Sequence, residues 1–432
     1  MTTIHEAMAA GINAHQTGQI DTARTIYRAI CDQAPDHPVT ANAMSNLASI
    51  LERENQLDEA RRLAELAIAI EPAQQMATLI LARCHRRSGD MRAALKQIEC
   101  VHSEDWNTAL FYEYARILDR LGRHQSAIEA FGQANATMAR SMPPTRRDLL
   151  PTFLSTVRAL FSPQWLDSWT PTPPGSRPDP VFMVGFNRSG TTLLHVMLEA
   201  HPDVRVIEET HAIDQARDAL KGRDTHGLND LSTLEISAAR EAYFKVADAH
   251  APDARGRTLV DKLPLNTISL GLIHRLFPRA KVIFSLRHPA DVVLSNFMQP
   301  YKPNPITCHF ETLQSTAKMY SMVMDLGMHL REVLPLNIID VRYEDLVEDW
   351  EGEVRRLLDF TGLSWDEAIG EYLSKTQSKG RIGTPSYDQV IEPVNRRSLH
   401  RWRNHTDALQ PVMPCLQRFI QAFGYGSTSE PI

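Results

Sequence analysis

A spacing close to 34 residues recurs through the first third of this 432-residue chain. Four alanines occupy equivalent positions at about that spacing: Ala23, Ala60, Ala94 and Ala127. Five residues before each alanine is a residue type that commonly ends a helix in the left-handed conformation: Gly18, Asn55, Gly89 and Gly122. Four residues after each alanine comes another member of the same frame: Tyr27, Ala64, Ile98 and Phe131. We therefore expect each unit to be a helical hairpin whose two helices meet at the alanine.

This repeated frame resembles the tetratricopeptide repeat. Such hairpins bury their apolar stripes only by stacking on their neighbours. The pattern therefore predicts an all-α repeat domain over residues 1–140, with a plain helical bundle as the alternative. A domain of this kind would hold a partner or the second domain of its own chain.

Residues 141–180 change in character. A helix is expected after the prolines at 143 and 144, and SWTPTPPGSRPDP then places five prolines in thirteen residues. Proline lacks the backbone N–H that helices and inner strands need. We interpret this segment as a helix followed by a linker, so that the second domain spans 181–432.

The second domain alternates between apolar runs and helical patterns. The expected strands are VFMV (181–184), VRVI (204–207), TLV (258–260), KVIFSL (281–286) and NIIDV (337–341). Strands that are apolar throughout and separated by helices indicate a parallel sheet covered on both faces. Ligands of such sheets bind at the carboxyl ends of the strands.

The stretch GFNRSGTT (185–192) joins the first of these strands to a helical pattern. In that position, backbone N–H groups and the helix N-terminus form a cradle for an anion, although a purely structural turn is the alternative. The stretch differs from the nucleotide-binding loop GxxxxGK[ST] because threonine replaces the lysine that reaches the terminal phosphates. Arg188 supplies a cation instead. A second candidate pair is Arg287, at a strand end, with Ser295 on the next helix; alternatively, Arg287 only caps its own strand.

Bulk properties exclude several classes. The net charge of −6 argues against a general nucleic-acid binder, and no run approaches the length of a membrane span. The N-terminus lacks the pattern of a signal peptide, so a cytoplasmic location is expected. The cysteines are scattered and odd in number, which is typical of reduced thiols and of neither a disulfide framework nor a zinc site. They are Cys31, Cys84, Cys100, Cys308 and Cys415.

GFNRSGTT followed by HPDV, with LRHPADVVLSNF downstream, resembles the 5′-phosphosulfate and 3′-phosphate motifs of sulfotransferases. Three more stretches support this: EETHAI (208–213), VDKLPLN (260–266) and SYDQVIEPVNRRSLHRW (386–402). The pattern is most similar to bacterial tetratricopeptide-repeat sulfotransferases and to tyrosylprotein sulfotransferases. The resemblance implies a P-loop-type α/β domain that uses 3′-phosphoadenosine 5′-phosphosulfate (PAPS), yields adenosine 3′,5′-bisphosphate and needs no metal.

The resemblance also implies roles for individual residues. Catalytic groups would be Glu209 as the base, with Arg188, Lys262 and Ser386 near the transferring group. Cofactor-binding groups would be Arg188, Ser189, Gly190, Thr191, Thr192, Arg287, Ser295, Tyr343, Ser386, Gln389, Val390, Asn395 and Arg401. Two positions depart from the family pattern: Arg401 replaces a lysine, and Gln299 stands where the tyrosylprotein enzymes have another arginine.

The residues alone leave two readings of the acidic pair open. Glu209 can be the base, with Glu208 pointing to the opposite side as neighbours along a strand do. Alternatively, both glutamates form a solvated pair that caps the helix expected at 211–220.

The function predicted is PAPS-dependent O-sulfation. The acceptor stays open among a protein or peptide tyrosine, a sugar, a lipid and a small phenol. A P-loop kinase and a repeat scaffold with an inactive second domain are the alternatives.

Overall fold

A computed structural model describes residues 3–35, 37–140, 147–223, 225–378 and 394–426. The chain forms two compact units. The first contains the described residues up to 140 together with Pro300–Lys302, and the second contains those from 147 to Gln299 and from Pro303 onward. Residues 147–180 precede the sheet within the second unit. The domain limits expected at 140 and 181 stay a prediction.

The first unit is built from helices joined by short turns. Their bounds are α1 Ile4–Gln16, α2 Ile20–Gln33, α3 Pro38–Arg53, α4 Leu57–Ile70, α5 Gln75–Arg87, α6 Met91–Glu99, α7 Thr108–Arg120 and α8 His124–Ala139, with a 3₁₀ turn at Ser103–Asp105. Each helix packs against the next along the chain. The odd-numbered helices α1, α3, α5 and α7 also pack against one another in succession. This arrangement confirms the predicted all-α repeat region.

The repeated frame explains this packing. The four alanines of the frame have no exposed surface, and neither do the four residues that follow them at the same spacing. The four residues before the alanines adopt positive φ values between 63° and 89°. A small residue lets two helices approach closely, and a left-handed residue reverses the chain between them. The apolar core of the unit therefore follows from the repeat.

The second unit contains a sheet of parallel strands with helices around it. The strands are β1 Val181–Gly185, β2 Val204–Glu208, β3 Thr258–Lys262, β4 Lys281–Leu286 and β5 Asn337–Arg342. The α-helices are α9 Leu149–Leu160, α10 Pro163–Leu166, α11 Thr191–Glu199, α12 Ala212–Ala219, α13 Thr233–His250, α14 Leu270–Leu276, α15 Pro289–Phe297, α16 Leu313–Val333, α17 Tyr343–Glu348, α18 Trp350–Thr361, α19 Tyr372–Ser378, α20 Thr406–Leu409 and α21 Met413–Ala422. Six 3₁₀ turns are also described, at Thr225–Leu228, Pro264–Ser269, Thr307–His309, Glu367–Glu371, Arg396–Ser398 and Arg401–His405.

The strand order is β2-β3-β1-β4-β5, and every pair is parallel. The register aligns Glu208 with Lys262 and Gly185 with Ser285. Since all the strands run the same way, the residues that follow them gather along one edge of the sheet. The predicted parallel α/β fold is confirmed, and this edge carries the candidate site.

Buried arginines bind the proline-rich segment at residues 168–180 to the rest of the second unit. Arg275, 1% exposed, donates to the Thr170 carbonyl at 2.6 Å and to the Leu231 carbonyl at 3.2 Å. Arg240 donates to the Pro173 carbonyl at 2.9 Å. Proline carbonyls accept hydrogen bonds even though the ring nitrogen donates none. The segment is therefore ordered without being a helix or a strand.

None of the helices in the described part of the chain is long and apolar enough to cross a lipid bilayer.

Candidate active site

The loop between β1 and α11 has the backbone of an anion cradle. Gly190 has φ +90° directly before α11, and Arg188 has φ +72°. Arginine seldom adopts a left-handed conformation, so its presence here marks a constrained loop. The side chains of Ser189, Thr191 and Thr192 lie at the turn into the helix, and all three residues are buried.

Side chains of neighbouring elements donate hydrogen bonds to the carbonyls of this loop. Asn296 of α15 donates through Nδ2 to the Asn187 carbonyl at 2.9 Å. Arg287, which follows β4, donates to the Arg188 carbonyl at 3.3 Å. These bonds use loop carbonyls and not its N–H groups. Within the loop, the Ser189 N–H donates to the Phe186 carbonyl at 3.3 Å. These bonds together hold the loop in a fixed shape.

Gly190 should not tolerate a side chain. An added Cβ would lie 2.4 Å from Cδ2 of Tyr343, and alanine is strained at φ +90°. Gly190→Ala should lower the free energy of unfolding of the second unit by about 1–3 kcal/mol, the usual cost of overpacking. Gly370→Ala is the matched control, because a Cβ there meets nothing within 4 Å. Urea unfolding of both variants tests this, and equal stability would contradict the close packing of Tyr343 on the loop.

A small pocket lies beside the loop. It is lined by Arg287, Asp291, Leu294, Ser295, Ser398 and Arg401. Three of these residues were expected from the sequence. Ser295 Oγ also accepts a hydrogen bond from Arg188 Nε at 3.1 Å, so the loop and the second candidate pair are in direct contact.

Arg287 contacts three other residues in and around this pocket. Its guanidinium lies 4.8 Å from the centre of the Tyr343 ring, 3.9 Å from Asp291 Oδ2, and donates to the Ser398 carbonyl. These partners come from α17, α15 and the C-terminal segment. The alternative that Arg287 only caps its own strand does not describe this arrangement.

The C-terminal segment is attached to the pocket through Trp402. Its backbone N–H donates to Asp291 Oδ1 at 2.8 Å, and its ring stacks on His288 at 4.8 Å between centres. Burial lowers the pKa of His288 to about 3, so the stacked ring is neutral at ordinary pH. Sequence reasoning missed Asp291 and Ser398. Asp291 could have been found, since it lies one helical turn after Arg287 within the quoted motif.

Lys262 and two glutamates form a second cluster at the same sheet edge. The Lys262 side chain has no exposed surface, and its Nζ lies 2.7 Å from Glu208 Oε1 and 3.0 Å from Glu209 Oε1. The next residue inward, Asp261, instead accepts from the Tyr243 hydroxyl of α13 at 3.0 Å. The register of β2 on β3 thus places one cation between two carboxylates.

The expectation that Glu208 points away from Glu209 is wrong. β2 ends at Glu208, one residue beyond the predicted run 204–207, and Glu209 has φ +49°. Side chains alternate only while the backbone stays extended. The left-handed turn at Glu209 returns its carboxylate to Lys262, so both glutamates bind the same ammonium group.

Not all of the remaining predicted site residues line the pocket around Arg287. Ser386, Gln389 and Val390 are outside the described residues. Asn395 accepts from the Arg397 N–H at 3.2 Å and begins a 3₁₀ turn. Arg401 lines the pocket, whereas Gln299 is not among the residues that line it.

Two family models match the chain. The sulfotransferase family model matches residues 180–367, and a tetratricopeptide-repeat model matches residues 4–72. The sulfotransferase match spans all five strands of the sheet and includes Arg188, Glu209, Lys262 and Arg287.

Similar proteins include two that are named protein-tyrosine sulfotransferases. Protein-tyrosine sulfotransferase 2 of Gallus gallus is 29% identical over 271 residues, covering 58% of this chain and 70% of the relative. Protein-tyrosine sulfotransferase of Drosophila melanogaster is 31% identical over 248 residues, covering 51% and 46%. An uncharacterized protein of Aquifex aeolicus (strain VF5) is 24% identical over 400 residues, covering 88% of this chain and 51% of its own length. The chain thus spans about half of the last two relatives.

Among solved structures, the sulfotransferase domain from the Synechococcus PCC 7002 olefin synthase is similar at 23% identity and a TM-score of 0.40, covering 58% of this chain and 98% of that domain. The helical region at residues 4–72 is thus similar to tetratricopeptide repeats, and the sheet-containing region at residues 180–367 is similar to the sulfotransferase family.

Proposed function

We propose that the second domain transfers a sulfuryl group from PAPS to an acceptor hydroxyl. One observation carries this proposal: a pocket containing Arg287, Ser295 and Arg401 adjoins the anion loop through the bond between Arg188 and Ser295. A donor with a phosphosulfate at one end of its ribose and a phosphate at the other needs two neighbouring anion sites. Arginines suit both, because a guanidinium binds tetrahedral anions through paired N–H donors.

Each part of the site then has a role in holding PAPS. The loop N–H groups with Arg188, Ser189, Gly190, Thr191 and Thr192 hold the 5′-phosphosulfate. Arg287, Ser295 and Arg401 hold the 3′-phosphate, and Tyr343 flanks the nucleotide. Ser386, Gln389, Val390 and Asn395 are the further cofactor-binding residues of this proposal.

The reaction replaces one S–O bond with another. The acceptor oxygen forms a bond to sulfur while the bond from sulfur to the bridging oxygen breaks, and its electrons remain on the leaving phosphate. Glu209 takes the proton from the acceptor hydroxyl as the new bond forms. Lys262 and Arg188 stabilise the charge that develops on the bridging and leaving oxygens. Ser386 donates to the transferring group.

The acceptor we propose is a tyrosine hydroxyl in a peptide or protein, held by the repeats of the first unit. Relatives that bear the name protein-tyrosine sulfotransferase support this choice, and so does the repeat region, since stacked helical hairpins present extended binding surfaces. A sugar, a lipid or a small phenol is the alternative acceptor.

Arg287→Ala should weaken the binding of adenosine 3′,5′-bisphosphate. The change removes charge-assisted hydrogen bonds to a phosphate, which are typically worth about 1.5–3 kcal/mol, or more than tenfold in affinity. Arg355→Ala is the control, because Arg355 lies on the surface of the same unit beside Glu351. Titration calorimetry measures both. Unchanged affinity in a folded Arg287→Ala protein would refute the pocket assignment.

The activity itself is tested by transfer of labelled sulfate from PAPS to tyrosine peptides, glycans, lipids and phenols. Transfer should persist in EDTA, and ATP should not serve as a donor, because the loop has no lysine to act with magnesium on terminal phosphates. Transfer to peptides alone would establish the acceptor class. A strict magnesium requirement with ATP as donor would favour a kinase, and no transfer to any acceptor would refute the proposal.

A further inference from the structure

A buried histidine lies behind the cluster of Lys262 and the two glutamates. His195 is on α11, the helix that begins at the anion loop, and is 5% exposed. Its Nε2 lies 3.1 Å from Glu199 Oε2, within hydrogen-bond distance. Its Nδ1 lies 3.5 Å from Glu208 Oε1, which is an ion-pair contact without hydrogen-bond geometry. Both ring nitrogens therefore face carboxylate oxygens.

This geometry favours the protonated ring. A neutral imidazole carries one N–H and one lone pair, so one of the two carboxylates would meet a lone pair. The imidazolium offers an N–H to each. Burial lowers the pKa of His195, but the hydrogen bond to Glu199 and the charges of Glu199 and Glu208 outweigh it, and the net pKa lies above its usual value.

The same Glu208 oxygen also binds Lys262. Oε1 of Glu208 lies 2.7 Å from Lys262 Nζ and 3.5 Å from His195 Nδ1, so two cations share one carboxylate oxygen. Burial of Glu208 opposes ionisation, yet His195 and Lys262 together lower its pKa to about 2. A continuous path of charged groups thus joins Glu199, His195, Glu208, Lys262 and Glu209.

We propose that protonated His195 is a positioning residue for sulfuryl transfer, acting through Glu208 on Lys262. This inference rests on the function proposed above. The imidazolium holds the Glu208 carboxylate in place and offsets its charge. Glu208 then positions Lys262 Nζ beside Glu209. Because His195 offsets part of the Glu208 charge, Glu208 does not fully neutralise the ammonium group, and Lys262 can still stabilise the leaving oxygens.

The direction of the pH dependence follows from this arrangement. Among the described residues, the charged groups that face the ring are Glu199 of its own helix and Glu208 of β2, with Lys262 of β3 behind Glu208. Lys375 of α19 instead donates to the Ala200 and Ala368 carbonyls. A raised pKa means that the contribution of His195 is complete at low pH and is lost as pH rises through the folded-state value.

A double-mutant cycle separates this role from simple packing. His195→Gln should lower kcat about tenfold, a loss of the size that a small misplacement of a catalytic group can cause. In a Glu208→Gln background the same change should cost less than about twofold, because the carboxylate through which it acts is gone. The wild-type kcat should fall at alkaline pH towards the pH-independent value of His195→Gln. Affinity for adenosine 3′,5′-bisphosphate should not change in any of these variants.

His201→Gln is the matched control. His201 is also buried and follows the same helix, but its Nε2 faces the Ser364 carbonyl and its Nδ1 accepts from the Asp203 N–H. Its replacement should lower stability and leave the pH profile of kcat in place. Equal costs of His195→Gln with and without Glu208 would overturn the inference.

Histidine-labelled NMR of the wild-type protein supplies a readout that needs no activity and no folded variant. The His195 ring should remain doubly protonated above the pH at which a free histidine loses its proton, and a neutral ring at pH 7 would overturn the inference. Transfer of sulfate with an unaltered pH profile in His195→Gln would overturn this inference alone. Absence of transfer by the wild type would overturn the proposed function, and this inference with it.

Discussion

Replacing Glu209 with glutamine should lower the kcat of sulfate transfer at least about a hundredfold, within the 10²–10⁴ range of general-base catalysis. The affinity for adenosine 3′,5′-bisphosphate should stay the same, because Glu209 is not part of the pocket around Arg287. A loss confined to kcat identifies an interaction made only in the transition state. Glutamine keeps the size and one carbonyl oxygen of glutamate, which limits structural damage.

Glu208→Gln cannot serve as the control for this experiment, because Glu208 binds the same ammonium group as Glu209. Asp203→Asn is the better control: it is an exposed carboxylate immediately before the opposite end of the same strand. Its kcat should stay within about twofold of wild type, as surface changes usually have little effect.

The two glutamates can also be ranked by this assay. Both variants are expected to be slower than wild type, Glu209→Gln by loss of the base and Glu208→Gln by misplacement of Lys262. Full activity in Glu209→Gln would place the base elsewhere. Full activity in Glu209→Gln together with a large loss in Glu208→Gln would assign the base to Glu208.

Lys262→Met should lower kcat by about 10²–10³, the usual cost of removing a preorganised electrostatic group from an active site. The lysine has no exposed surface and bridges two carboxylates, so its loss removes a cation and also leaves Glu208 and Glu209 without their shared partner. Breaking a buried ion pair typically lowers stability by about 3–5 kcal/mol. Activity and unfolding should therefore be measured on the same protein.

A second substitution separates these two effects. Lys262→Met combined with Glu208→Gln removes one of the two carboxylates that lost their lysine partner, so most of the lost stability should return. The kcat should stay low, because no cation is restored near the leaving oxygens. Recovery of both stability and kcat in the double variant would show that Lys262 only balances the charge of Glu208.

Much of the fold could be predicted from local pattern. Turn residues such as Gly89 and small residues such as Ala94 recur at one spacing, and each is required by the hairpin that contains it. The five strands contain apolar runs that alternate with helical patterns along the chain, which predicted a parallel sheet covered on both faces. Strand limits agree to within two residues. These features depend on backbone geometry and burial, which short stretches of sequence encode directly.

The candidate site was predictable only residue by residue. Local pattern identified Arg188 and Arg287, and the family resemblance identified Glu209 and Lys262, but neither gave the contacts among them. The bond from Arg188 to Ser295 joins residues more than a hundred positions apart in the sequence. The contact between the Tyr343 ring and Gly190 also joins residues more than a hundred positions apart. Such contacts depend on strand order and on helix placement, which no local pattern specifies.

The sequence by itself determined the two-part architecture, the identity of the strands and the chemical groups available at their carboxyl ends. Only the tertiary structure decided that Glu208 and Glu209 share one lysine and that His195 lies behind them. The physical reason is that side-chain direction at a strand end depends on a single φ angle. At Glu209 that angle is +49°, and the register of β2 on β3 places Lys262 where the turned carboxylate meets it.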